Sequence, residues 1–200
     1  MVAIVTVGIL AIQGAVSEHL AMMNRVFKEE KQPGKAISVR QLSDIECCEG
    51  LIIPGGESTT ISRILVSTGM HETIRQRMKE HSLGLMGTCA GCALLAKELT
   101  DDTKADVKLL KAMDVQVERN AFGRQKESFE RSIEITGFSS PFHAVFIRAP
   151  LITKVWGNCK VLATVEKEIV MARQDNYLAL SFHPELTNDL RVHRFFLEML

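Results

Sequence analysis

The chain has 200 residues, 46% of them hydrophobic and 24% charged, enough for one domain with a sizeable core. Lysine plus arginine equals aspartate plus glutamate, so the formal net charge is zero. That balance lacks the basic footprint of a nucleic-acid binder and the acidic tail of a solvating segment.

The apolar start, M-V-A-I-V-T-V-G-I-L-A-I-Q-G-A-V, breaks at Gln13-Gly14, short of the ~20 apolar residues of a membrane span. Residues 4–12 read as a buried strand, and with no targeting signal the expected compartment is the cytoplasm. Residues 15–30 read as a helix with Ala15, Leu20, Met23, Val26 and Phe27 near one face, stopped at Lys31-Gln32-Pro33-Gly34. Short strands follow at 36–39, 51–54 and 84–87, with helices predicted over 59–67, 71–81 and 90–99. This alternation predicts an α/β fold with a mostly parallel sheet and helices on both faces. The second half reads as strands at 115–118, 129–135, 144–147, 159–165, 169–173 and 177–182, then a helix over 188–199. Residues 100–106 are polar and read as a surface loop, and no linker divides residues 1–200 into two domains.

Five cysteines fit free thiols in a reducing compartment, and Cys89-x-x-Cys92 lacks the further ligands of a zinc site, so neither a metal nor a cofactor is expected. The informative segment is Gly87-Thr88-Cys89-Ala90-Gly91, where a strand runs into a helix. G-x-C-x-G is the thiol counterpart of the nucleophile elbow, which exposes the reactive atom above a sheet. A helix N-terminus favours the thiolate, and the Ala90 N–H is placed to stabilise an oxyanion. An isolated cysteine is more often a buried core residue; the flanking glycines favour a nucleophile at Cys89, whereas Cys92 reads as core.

Of six histidines, His183 closes an apolar strand in Ser181-Phe182-His183-Pro184-Glu185. A strand-end histidine bonding backbone is the plain alternative to a general base. Glu185 at i+2 faces the same way if the strand persists, and would then orient the imidazole. His19, His71, His81 and His193 read as surface residues, and His143 as a loop residue without a role. Pro54-Gly55-Gly56-Glu57-Ser58-Thr59-Thr60 opens a helix, with Gly56 as a second oxyanion donor, Glu57 suited to an α-ammonium group and Ser58 as helix cap. Arg119 and Arg148 suit a substrate carboxylate or a surface ion pair equally.

G-T-C-A-G, P-G-G-E-S-T-T and the downstream H-P-E resemble class I glutamine amidotransferases. G-I-L-A-I-Q-G-A-V-S-E-H, R-N-A-F-G-R-Q with S-F-E, F-I-R-A-P and S-F-H-P-E-L-T narrow the resemblance to the glutaminase subunits of pyridoxal 5′-phosphate synthase. The resemblance implies a flavodoxin-like three-layer α/β/α fold and hydrolysis of L-glutamine to L-glutamate and ammonia. It implies Cys89 as nucleophile, His183 as base and Glu185 as its orienter. It places glutamine contacts on Gly56, Glu57, Ser58, Arg119, Ile147 and Arg148, and partner docking near Gln13 and Gly14. The implied partner is a synthase subunit that combines the ammonia with a pentose phosphate and a triose phosphate to build the vitamin B6 cofactor. The alternatives are a glutaminase subunit of another pathway, a cysteine hydrolase of related fold and a non-catalytic scaffold.

Overall fold

A computed structural model describes residues 4–100, 107–119 and 128–200. The polar stretch 101–106, and residues 120–125 of the R-N-A-F-G-R-Q block, lie outside the described residues. In chain order the elements are β1 (Val5–Leu10), α1 (Val16–Glu30), β2 (Gly34–Val39), α2 (Leu42–Glu46), β3 (Gly50–Ile53), α3 (Ser58–Ser67), α4 (Met70–Lys79), β4 (Gly84–Thr88), α5 (Ala90–Leu95), β5 (Ala96–Leu99) and β6 (Met113–Glu118). They continue with β7 (Ser128–Ile133), β8 (Phe142–Ile147), β9 (Leu151–Val155), β10 (Lys160–Val165), β11 (Glu168–Gln174), β12 (Tyr177–Leu180), a 3-10 turn (Pro184–Leu186) and α6 (Arg191–Leu197).

Among the described residues, ten strands form one sheet in the order β2-β1-β3-β4-β12-β11-β9-β6-β5, with β10 added beside β11; β7 and β8 form a separate hairpin. The run from β2 to β12 is parallel throughout, and antiparallel pairs β12-β11, β11-β9 and β9-β6 extend it. β3, β4 and β12 are buried at every position, as parallel strands covered on both faces must be. Their side chains divide by the two-residue period of a strand. Leu51, Ile53 and Leu85 join Ile61, Leu65 and Ile74 of α3 and α4 on one face. Ile52, Met86, Leu178 and Leu180 join Met23, Val26, Val192 and Phe196 of α1 and α6 on the other. The result is the expected three-layer α/β fold, with the carboxyl ends of β3, β4 and β12 side by side.

Several elements differ from the sequence reading. The helix expected over 90–99 ends at Leu95, because Ala96 turns extended (ψ 153°) and β5 pairs with β6. Strong helix formers at 95–99 are overridden there by sheet pairing. α2 was not anticipated; five residues carry too little periodicity, although Gln41 and Asp44 form a reciprocal capping box. β9 was also missed, since Thr153 and Lys154 break its apolar pattern. The last helix begins at Arg191 rather than 188, after the 3-10 turn. His143 lies in β8, not in a loop, and its Nε2 meets Glu130 at 2.8 Å.

Arg77 of α4 ties the α2–β3 connection to the helix layer. Its guanidinium donates to the carbonyls of Ile45 (2.5 Å), Cys48 (2.6 Å) and Ser82 (2.5 Å), three charge-assisted bonds to backbone around the α2–β3 and α4–β4 connections. Replacing Arg77 by methionine is expected to cost about 2–3 kcal/mol in urea unfolding, with Arg77→Lys recovering part of it.

Candidate active site

The turn after β4 is built by close approach. Cys89 has φ 50° and ψ −108°, a strained conformation for a residue with a side chain. A Cβ on Gly91 would lie 2.1 Å from the Ile53 carbonyl oxygen, so only glycine lets α5 start this close to β3. Cys89 N–H donates to Leu180 O at 2.8 Å, fastening the turn to the end of β12. The thiol points away from the core toward Ile147 O at 3.8 Å. Ala90 occupies the first turn of α5, where its N–H has no intrahelical acceptor.

His183 sits just beyond β12, its N–H held by Val145 O at 2.8 Å. Its ring and the Cys89 side chain line the same cavity. A single Cβ built on Gly55 would touch both groups, 2.6 Å from His183 Cε1 and 3.3 Å from Cys89 Cβ. On the other side of the ring, Nδ1 meets Glu185 Oε1 at 2.7 Å. The side-by-side arrangement does not come from a continuing strand, as the i+2 spacing suggested. The chain leaves β12 after Leu180, and the 3-10 turn carries Glu185 back to the imidazole. Phe182, packed against Phe142 and Phe146 of β8 at 5.7 Å between ring centroids, anchors the segment that carries His183.

Burial by itself would lower the affinity of His183 for a proton. The neighbouring Cys89 and Glu185 side chains outweigh it and raise the pKa to about 10. At neutral pH the ring is therefore an imidazolium facing the sulfur.

A cavity of about 320 Å³ opens in front of this pair. Gln13, Gly56, Glu57, Ser58, Cys89, Ala90, Arg119, Ile147, Arg148 and His183 all line it, together with Ala93 and Pro150. Gly14 and Glu185 do not: Gly14 packs beneath the loop, where a Cβ would sit 2.0 Å from Gly55 O, and Glu185 lies behind His183. Gln13 Oε1 accepts from Glu57 N–H at 2.9 Å and covers Gly56, whose φ is 151°. Arg119 donates to Ser58 Oγ at 3.2 Å. Arg148 carries φ 42°, a second strained residue on the cavity wall. The helix cap differs from the expected one: Glu57, not Ser58, caps α3, accepting from Thr59 N–H (2.9 Å) and Thr60 N–H (2.6 Å). Slight burial works against its charge, but the bonds from Thr60 and Thr59 prevail and hold the carboxyl at about 2.

Three histidines expected at the surface are buried. His71 is capped by Leu109 O at 3.1 Å. His19 of α1 and His193 of α6 are fully inaccessible and lie directly behind Glu185. His19 Nδ1 meets His193 Nε2 at 2.9 Å, and His19 Nε2 lies 3.3 Å from Glu185 Oε2. Helical spacing hid this, since polar neighbours on α1 and α6 disguised two residues on the inner faces. Among the six histidines, His81 alone of those read as surface residues is exposed.

The model of the SNO glutamine amidotransferase family matches residues 9–200. The chain belongs to this family. It is 46% identical over 195 residues to the pyridoxal 5′-phosphate synthase subunit PdxT of Methanococcoides burtonii, covering 97% of this chain and 98% of the relative. It is 47% identical over 201 residues to the subunit of the same name from Staphylothermus marinus, with the same coverage. A solved structure described as a glutamine amidotransferase superposes with a TM-score of 0.85 at 44% identity, covering 96% of this chain and 97% of that one. A Thermotoga maritima glutamine amidotransferase shares the fold at TM-score 0.61 and 16% identity, covering 98% and 82%. No helix among the described residues is long and apolar enough to cross a membrane.

The buried histidines make acid stability a test of the packing. Burial pushes His193 down to about 3, and burial together with the neighbouring His193 and His183 pushes His19 well below 6.5. In the unfolded chain both take up a proton near pH 6.5. Stability is thus undiminished above pH 6.5 and falls below it as the unfolded chain takes up protons that the buried rings refuse, for His193 by about 1.4 kcal/mol per pH unit down toward pH 3. Unfolding midpoints measured between pH 7.5 and pH 5 should fall less steeply in His193→Phe than in the parent chain.

Proposed function

We propose that the chain hydrolyses L-glutamine to L-glutamate and ammonia through a γ-glutamyl thioester on Cys89, and delivers the ammonia to a pyridoxal 5′-phosphate synthase subunit. The observation that carries this reading is the Cys89–His183–Glu185 line opening onto a cavity sized for a small amino acid. Family membership and near-full-length likeness to PdxT subunits support the choice of glutamine and of the partner.

Cys89 Sγ, its proton passed to His183, attacks the carboxamide carbon. The N–H groups of Ala90 and Gly56 receive the oxyanion, an effect worth ~3–4 kcal/mol for a single donor in other enzymes. The His183 imidazolium gives its proton to the departing ammonia, and the neutral ring then takes a proton from the water that cleaves the thioester. Glu57 receives the α-ammonium group, and Arg119, Arg148 and Ser58 receive the α-carboxylate. Ile147 O, now bonded by the thiol, lies beside the reacting carboxamide. Gln13 and Gly14 form the docking lip: Gln13 bonds the loop that carries Gly56, so a partner pressing there acts directly on the second oxyanion donor. The compartment consistent with this role is the cytoplasm.

Glutamate release is measured with and without a candidate synthase subunit. Release stimulated by that subunit is expected, and Cys89→Ala, folded as judged by its unfolding transition, should lower it at least about a thousand-fold. A wild-type rate in Cys89→Ala would overturn the nucleophile. The charge on Glu185 sets a second test. The His183 pKa is raised, so the imidazolium persists as pH rises past 6.5 and is lost toward 10. Glu185→Gln removes one of the contributions that raise it, and the alkaline limb of the kcat/KM profile should move to lower pH.

A further inference from the structure

Behind the triad stands a buried line of polar atoms that the reaction above does not use. Glu185 has two carboxylate oxygens. Oε1 is taken by His183, whereas Oε2 is buried and has no hydrogen-bond partner in ideal geometry among the described residues. His19 Nε2 is equally buried and equally without a well-aligned partner. The two atoms are 3.3 Å apart, a long contact for a charged acceptor, and each is the polar group the other faces. His193 Nδ1, at the far end, is also unpartnered.

The tautomers follow from this accounting. If His19 carried its proton on Nδ1 and gave it to His193, a bare Nε2 lone pair would face the Glu185 carboxylate, and His193 would bury an unsatisfied Nδ1–H. Both are costly in a dry interior. In the opposite arrangement His193 Nε2–H donates to His19 Nδ1, and His19 Nε2–H donates to Glu185 Oε2. The only atom left over is the His193 Nδ1 lone pair, the cheapest orphan of the set. Every donor then points toward Glu185, and the polarised line strengthens its last bond.

We propose that His19 is a positioning residue for glutamine hydrolysis. Its Nε2–H fixes the outer oxygen of Glu185, so that the inner oxygen stays aimed at His183 Nδ1, while His193 fixes the His19 tautomer. This rests on the Cys89–His183–Glu185 reading and adds to it a fourth and a fifth member from α1 and α6. The titratable groups facing His19 are Glu185, His193 and His183; those facing His183 are Cys89 and Glu185. Burial keeps both supporting rings neutral, so the line supplies hydrogen bonds without adding charge.

The test is the pH profile of glutamine hydrolysis by the complex with the synthase subunit, with wild type and Cys89→Ala in the same assay. Those two controls decide the nucleophile independently of His19. His19→Met keeps the bulk and removes the donor; His19→Gln keeps an N–H near the Nε2 position. For His19→Met, kcat should fall roughly 10- to 100-fold, as for a lost hydrogen bond to a charged group. KM should stay within about two-fold, and the alkaline limb should move to lower pH, because a carboxylate free to turn no longer supports the imidazolium. His19→Gln should restore most of kcat and the limb. His193→Phe, with His19 untouched, should show a smaller shift in the same direction. Wild-type kcat and limb in His19→Met would overturn the proposal. If that variant does not fold, a His19→Gln enzyme with kcat down ten-fold or more, or an unmoved limb in His193→Phe, would overturn it.

Discussion

The register between β4 and β12 fixes where the chemistry can occur. Thr88 pairs with Leu180, and the next N–H, that of Cys89, continues the ladder onto the Leu180 carbonyl. Ile53 stands beside Gly87 on the other flank. Three parallel strands thus end at one level, and the segments leaving them carry the Gly55–Gly56 loop, the Cys89 turn and the His183 segment. A slip of one residue in any of these pairings would turn its side chains to the other face of the sheet. The burial of β3, β4 and β12 on both faces is what makes such a slip expensive. The hydrophobic core and the Cys89–His183 pair therefore share a single determinant.

Above that frame the protein treats imidazoles in opposite ways within one small volume. His183 is buried beside a carboxylate and a thiol and holds its proton far above the usual histidine range. His19 and His193, buried among apolar side chains and each other, shed theirs far below it. All three began as the same group with the same intrinsic basicity. The difference lies in partners: the Cys89 and Glu185 side chains outweigh desolvation for His183, whereas for His19 burial acts in the same direction as the neighbouring His193 and His183, and for His193 burial acts alone.

The parallel half of the fold was readable because β3 and β4 are apolar runs that end at glycine-marked turns, and α1 shows a clear apolar stripe. The candidate site was readable for a related reason. Sharp turns need glycine at fixed offsets, so Gly87, Gly91, Gly55 and Gly56 mark the turns, and the residues between them mark the chemistry. What escaped was whatever depends on long-range contact. β5 and β9 are strands through their partners rather than their composition. Glu57 rather than Ser58 caps α3, because the longer side chain curls back on Thr59 and Thr60. The buried positions of His19 and His193 depend on α1 and α6 packing side by side on one face of the sheet, a contact spanning 174 positions in the chain. Periodicity in a single helix carries no information about that.

Cys89 and Arg148 both hold left-handed backbone angles without being glycine. Conformations of this kind cost about 1–3 kcal/mol each, a sizeable share of the ~5–15 kcal/mol by which a domain of this size outweighs its unfolded chain. Selection for thermal robustness alone would drive both positions toward glycine, and the pocket would lose its sulfur and a cation in the process. The surrounding β-structure, buried to the last residue at β3, β4 and β12, is the ballast that lets the chain keep Cys89 and Arg148 in postures they would not choose.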